Sequence, residues 1–179
     1  ITGGAALIKS AQLRVLITEF QNYRVAFNTY YGLYDKVPGG RDNCDGLNTV
    51  CNSHSAWEEL KDEGIIEKTH SDGFLPSKYK NAYWRIENGG GGYFEVSDFQ
   101  NTNNLLLSGG DGTAIIGLLG VKETKSLLDK LDDGSPNTGL VRALEFDGAD
   151  TNSSEEATPE SLSEADSAKR YALVSKLDF

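Results

Sequence analysis

The chain is poor in positive charge. Its 17 Lys and Arg stand against 27 Asp and Glu, a net charge of −10. That balance excludes a nucleic-acid partner, because phosphate binding needs a basic face, and it argues against an anionic membrane surface. It suits solubility, cation binding or a basic partner. Long apolar runs are absent too: none approaches the roughly 20 residues that a membrane span requires. Methionine is missing altogether, and no basic start leads into an apolar middle as in a signal peptide. The opening Ile1-Thr2-Gly3-Gly4 therefore reads as the continuation of something upstream. The 179 residues fit one domain, 1–179, with enough length to bury a core.

Catalytic equipment is equally scarce. The two histidines, His54 and His70, sit apart in polar surroundings, and no Gly-x-Ser-x-Gly elbow occurs. Gly89 to Gly92 lacks the Lys and Ser/Thr of a phosphate loop, while Gly109-Gly110-Asp111-Gly112-Thr113 reads as a tight turn. The acidic pairs Glu58-Glu59, Asp132-Asp133 and Glu155-Glu156 are neighbours in sequence, and neighbours do not converge on one helix face. These absences point away from an enzyme. Two cysteines, Cys44 and Cys51, lie seven apart in a polar, turn-rich stretch. That spacing makes a local disulfide geometrically easy, and it would stabilise by about 2 kcal/mol. No further cysteine is present, and His54 alone does not complete a tetrahedral metal set. The expectation is a Cys44–Cys51 disulfide in an oxidising compartment.

What the chain does have is a long amphipathic stretch. Leu13, Leu16, Phe20, Tyr23, Phe27, Tyr30 and Tyr34 recur at alternating gaps of three and four, the stripe of a helix. A start near Ala5 gives about 30 residues and about 45 Å, too long for full use inside so small a domain. Residues 1–36 are thus expected as a helix, partly protruding, with Leu13 onward packed on a sheet. Gly3-Gly4 forms a flexible pair near its start, and Pro38-Gly39-Gly40 ends it.

Residues 37–179 make a head. Ser55-Ala56-Trp57-Glu58 matches a capping box and opens a short helix with Trp57, Leu60 and Ile65 inward and Gly64 as its stop. Strands follow at Ala82–Glu87, Tyr93–Val96 and Asn104–Ser108, joined by Gly-rich turns as in an antiparallel meander. A further helix, Lys122–Leu131, ends at Asp132-Asp133-Gly134. Val141–Phe146 and Tyr171–Leu177 complete the strands. Residues 147–169, rich in Ser, Glu, Asp and Ala, are expected as a solvated, mobile loop. The sequon at Asn152 is read as chance. Trp57, Trp84 and the tyrosines at 23, 30, 31 and 34 could offer a carbohydrate-binding face, but such residues more often build cores. The fold class is α+β: one long N-terminal α-helix packed on a small antiparallel β-sheet, with one or two short extra helices.

Three stretches carry a family resemblance. Phe20-Gln21-Asn22-Tyr23, running through Tyr34-Asp35-Lys36-Val37-Pro38-Gly39, resembles the aromatic helix end and Pro-Gly connector of type IV pilins and type II secretion pseudopilins. Lys130-Leu131-Asp132-Asp133-Gly134-Ser135-Pro136 is similar to a Lys-hydrophobic-Asp-Asp-Gly-x-Pro stretch of prepilin-like proteins. The closing Tyr171-Ala172-Leu173-Val174-Ser175-Lys176-Leu177-Asp178-Phe179 resembles their last strand. Gly40 replaces the Asp usual after the Pro-Gly, and Cys44 and Cys51 do not match the C-terminal disulfide that is common in pilins. The resemblance implies a non-enzymatic filament subunit whose partners are other pilin or pseudopilin subunits. It also implies a bacterial periplasmic or surface location, with inner-membrane anchoring through an upstream helix. Leu7, Ala11, Leu13, Leu16, Phe20, Tyr23 and Phe27 would line the assembly helix, and a fragment without the anchor would be monomeric. Asp132 and Asp133 at a helix C-terminus, with Asn137 beside them, could gather oxygens for calcium, as secretion pseudopilins carry it in a loop, or they form a solvated turn whose carboxylates cap neighbouring backbone amides. The competing class is a periplasmic or surface adhesion module that holds a sugar or a protein.

Overall fold

The computed structural model describes residues 2–40, 53–67, 73–88, 96–100, 102–110, 115–146, 155–163 and 169–177. Its first element is one unbroken helix, α1 (Thr2–Tyr34), of 33 residues and so about 50 Å. No proline interrupts it, and Gly3-Gly4 lies inside it rather than ahead of it. Its stop comes before the Pro-Gly. Asp35 adopts a left-handed φ of 52° and donates its N–H to the Tyr31 carbonyl at 2.8 Å, closing the last turn as a C-terminal cap. Among the described residues no helix is long and apolar enough to cross a membrane.

The second helix, α2 (Ser53–Asp62), begins two residues ahead of the expected Ser55 cap. The reason is tertiary. The Ser53 hydroxyl donates to the Gly73 carbonyl and accepts the Ile86 N–H at 3.0 Å, which draws the helix start onto the neighbouring sheet. Gly64 ends the element as expected, with a φ of 68° that suits glycine.

Among the described residues six strands form one sheet: β1 (Leu75–Pro76), β2 (Ala82–Asn88), β3 (Asn103–Gly109), β4 (Val141–Phe146), β5 (Glu155–Glu156) and β6 (Arg170–Lys176). Each pairing is antiparallel, in the order β1-β2-β3-β6-β4-β5. Only β1 to β3 are a meander, because the chain then crosses by helix α3 (Val121–Leu131) to β4 and returns to insert β6 between β3 and β4. Tyr171 through Ser175 of β6 are all buried, which requires a central position covered on both faces. Val96 lies outside any strand and leads into a 3-10 turn, Ser97–Phe99. Tyr93, Phe94 and Glu95 lie outside the described residues, as do Cys44, Cys51, His70 and Asn152. The segment expected as one solvated loop instead contains β5 and a one-turn helix, α4 (Pro159–Ser163), with Ala157 and Leu162 buried.

The sheet separates two apolar clusters. On one face Trp84, Ile86, Leu105, Leu107, Val141, Ala143, Tyr171 and Leu173 meet α1, α2 and α3. On the other, Leu106, Leu144, Phe146, Ala172 and Val174 pack with Val96, Phe99 and Ile115. The segment from Ile115 to Leu119 lies close to β6: a Cβ on Gly117 would fall 2.6 Å from the Arg170 carbonyl carbon. Only glycine allows that approach.

Candidate functional site

The helix α1 is the feature on which both the fold and any assembly role turn. Its two sides do different things. On the inner side Leu16, Phe20, Tyr23, Ala26, Phe27 and Tyr30 are buried. The rings meet the two tryptophans largely edge to face: Tyr23 lies 5.3 Å from Trp57 and 5.7 Å from Trp84, and Phe27 lies 5.5 Å from Trp57. Phe20 adds a tilted contact to Trp84 at 6.1 Å. Such pairs contribute about 0.5–1.5 kcal/mol each beyond area burial. Trp57 and Trp84 are enclosed and offer no stacking face to a sugar. Tyr31 is half-buried against the same core.

One carboxylate sits in this seam. Glu19 is buried and accepts three donors: Trp84 Nε1 at 2.9 Å, the Lys78 N–H at 2.8 Å and the Ser77 hydroxyl. It ties the helix to β2 and to the turn before it. Burial, with the Glu19 charge adding to it, pushes the Tyr23 phenol well above its ordinary range. Farther along, Tyr30 donates to Glu59 at 2.7 Å and Tyr34 to Glu63, which fastens α1 to α2. Near its start Lys9 reaches Glu123 of α3 at 3.2 Å. By its polarity Glu19 reads as one of the residues opposite the apolar stripe, yet it is buried against the sheet. The available signal was its helical angle, one step beside Tyr23 and Leu16 and not opposite them.

The outer side carries one charge, the exposed Arg14, among apolar and small polar residues. Leu7, Ile8, Val25 and Leu33 are 72, 62, 63 and 65 % exposed, and with Tyr34 they are the large exposed hydrophobics among the described residues. Gly4, Leu7, Ala11, Thr18, Val25 and Thr29 fall within about 60° of one line along the cylinder. The ionisable side chains of α1 other than tyrosines are Lys9, Arg14, Glu19 and Arg24, so the helix carries +2 and the rest of the chain −12 of the total −10. Of the residues expected to line the assembly helix, Leu7 and Ala11 face solvent. Leu13 is half-buried, and Leu16, Phe20, Tyr23 and Phe27 belong to the core. Beside this outer stripe runs a groove of about 650 Å³ between Asn22, Val25 and Thr29 on α1 and Ile65, Ile66 and Glu67 after α2.

The candidate calcium residues come together in the turn from α3 to β4. Asp132 accepts the N–H groups of Leu140 and of Val141, the latter at 2.8 Å. Asp133 accepts the Ser135 N–H at 2.9 Å and the Thr138 hydroxyl at 2.6 Å, while Asn137 accepts the Ser135 hydroxyl at 3.1 Å. The Thr138 and Ser135 bonds hold the Asp133 carboxyl below its ordinary range. These donors come from the turn and the first residue of β4 and point at the carboxylates, which cap the turn. Among the described residues no three His, Cys, Asp or Glu cluster to hold a metal.

The architecture is α+β, a long N-terminal helix over a small antiparallel sheet with short extra helices. No family model and no curated protein matches the chain. Among solved structures, the major type IV pilin PilA1 from Clostridium difficile is similar over 96 % of this chain and 98 % of its own, at 15 % identity and a TM-score of 0.47.

Proposed function

We propose that the chain is the head and stem of a filament subunit, of a type IV pilus or a type II secretion pseudopilus. The observation that carries this is the two-sided α1. One side is locked into the head by aromatic rings and by Glu19, and the other, about 50 Å long, exposes Leu7, Ile8, Val25 and Leu33 with Arg14 as its one charge. A lone soluble domain rarely leaves such a stripe uncovered, whereas helices that pack together need it. The acidic remainder of the chain suits an outward, water-facing head. The three stretches that resemble prepilin-like proteins support the same reading. Its partners are further subunits, and its location is the periplasm or the cell surface of a bacterium.

The test is expression of the whole gene in its native host. Filaments sheared from the surface, or a secretion pseudopilus trapped by overexpression, should contain this chain behind an apolar helix. Recovery only as a free monomer behind an ordinary cleaved signal peptide would overturn the proposal in favour of a binding module.

A further inference from the structure

We propose that the groove between α1 and residues 64–67 binds a small organic ammonium ion, a primary amine carried on an apolar body. The proposal goes beyond the filament reading and does not depend on it. It starts from Glu19. Buried charges in proteins are normally paired with an opposite charge. Glu19 is 7 % exposed, and its three donors, an indole, an amide and a hydroxyl, are all neutral. Among the described residues no Lys, Arg or His forms an ion pair with it. This carboxylate lines the groove of about 650 Å³, a volume that suits a small molecule.

A second group points to a ligand. Tyr23, one helical turn along from Glu19, lines the same groove and is 8 % exposed. Its ring is fixed against Trp57 and Trp84, yet among the described residues its hydroxyl has no hydrogen-bond partner. The hydroxyl is not fully enclosed either, so it opens onto the groove. A polar group so placed calls for a partner.

The lining selects the chemistry of that partner. A carboxylate offers about four lone-pair sites, and Glu19 uses three of them. The remaining site and the Tyr23 oxygen are acceptors on successive turns of α1, and an ammonium brings the N–H groups to fill them. Glu67 adds a second carboxylate to the lining against the one ammonium of Lys78, so a cation is favoured over an anion. The side chains of Ile65, Ile66 and Leu75 supply no oxygen to the remaining wall. A bare metal ion needs oxygens all round; a cation with a hydrocarbon body suits this wall instead.

Phenethylamine is the probe, titrated into the 179-residue chain and followed by NMR. It should give saturable amide shifts at Tyr23, Ala26, Ile65 and Ile66, and a shift of the Trp84 indole N–H, which shares Glu19 with the ligand. Phenylpropionate, of the same shape and opposite charge, should bind at least about ten-fold more weakly. Glu19→Gln keeps an acceptor oxygen and removes the charge, and should weaken the amine about ten-fold. Tyr23→Phe keeps the ring contacts and removes the hydroxyl, and should weaken it about three-fold or more. Circular dichroism checks that the variants are folded. Where Glu19→Gln melts, Ile66→Lys at the half-buried wall takes its place and should abolish binding, because it supplies a cation of its own. An absence of saturable shifts, equal binding of phenylpropionate, or unchanged affinity in Tyr23→Phe or in the charge variant would each overturn the proposal.

Discussion

Glu19 faces the sheet, and its three donors make it the most consequential polar side chain of the stem. Removing it strands a buried indole N–H, an amide and a hydroxyl. Glu19→Ala should lower unfolding stability by about 3 kcal/mol, read as a shift of the urea midpoint at constant slope. Glu19→Gln, which keeps one acceptor oxygen, should lose less. Asp133 gives a prediction in acid. Its folded carboxyl is held below the ordinary value by Thr138 and Ser135, so its contribution is present above the unfolded value of about 3.9 and is lost as pH falls through the lower folded value. Asp133→Asn should therefore flatten the fall of Tm with pH below about pH 4. The stripe Leu16, Phe20, Tyr23, Phe27 and Tyr30 was legible in sequence because spacing alone fixes a helix face. Glu19 was not, since its role depends on Ser77, Lys78 and Trp84, all at least 58 residues away.

At the level of elements, α1, β2, β3, α3, β4 and β6 follow from period and turn chemistry, within a residue or two at each end. The misplacements share a cause. Strands β1 and β5 are two residues long and carry no period to read; they exist because a neighbouring strand offers them hydrogen bonds. The central seat of β6 was hidden because sequence order suggests a meander, although its run of buried residues already marks a strand covered on both faces. Gly117 tests that seat. Gly117→Ala places a methyl against the Arg170 backbone and should cost about 2–4 kcal/mol, measurable by thermal melting. The α3–β4 turn is already neutralised by its own amides and hydroxyls, so calcium and a chelator should give the same Tm; a rise with calcium would show that the carboxylates leave their caps for a cation.

For the molecule as a whole, the head is acidic and the stem mildly basic, and among the described residues the large exposed hydrophobics all lie on the stem. That division was legible only in part. Sequence gives the charge totals and the inner stripe, but which outer residues remain uncovered depends on how α2 and the 64–67 segment lie against α1, as the groove shows. The continuity of α1 also has a mechanical meaning. Tension applied along the helix axis meets the aromatic contacts, the Glu19 bonds and the Tyr30–Glu59 link side by side in shear, so that they share the load, whereas a sideways pull would unzip them one after another. Optical-tweezer traces pulled from residue 2 along α1 should accordingly show one high rupture event, and Glu19→Ala should lower its force without adding a second step.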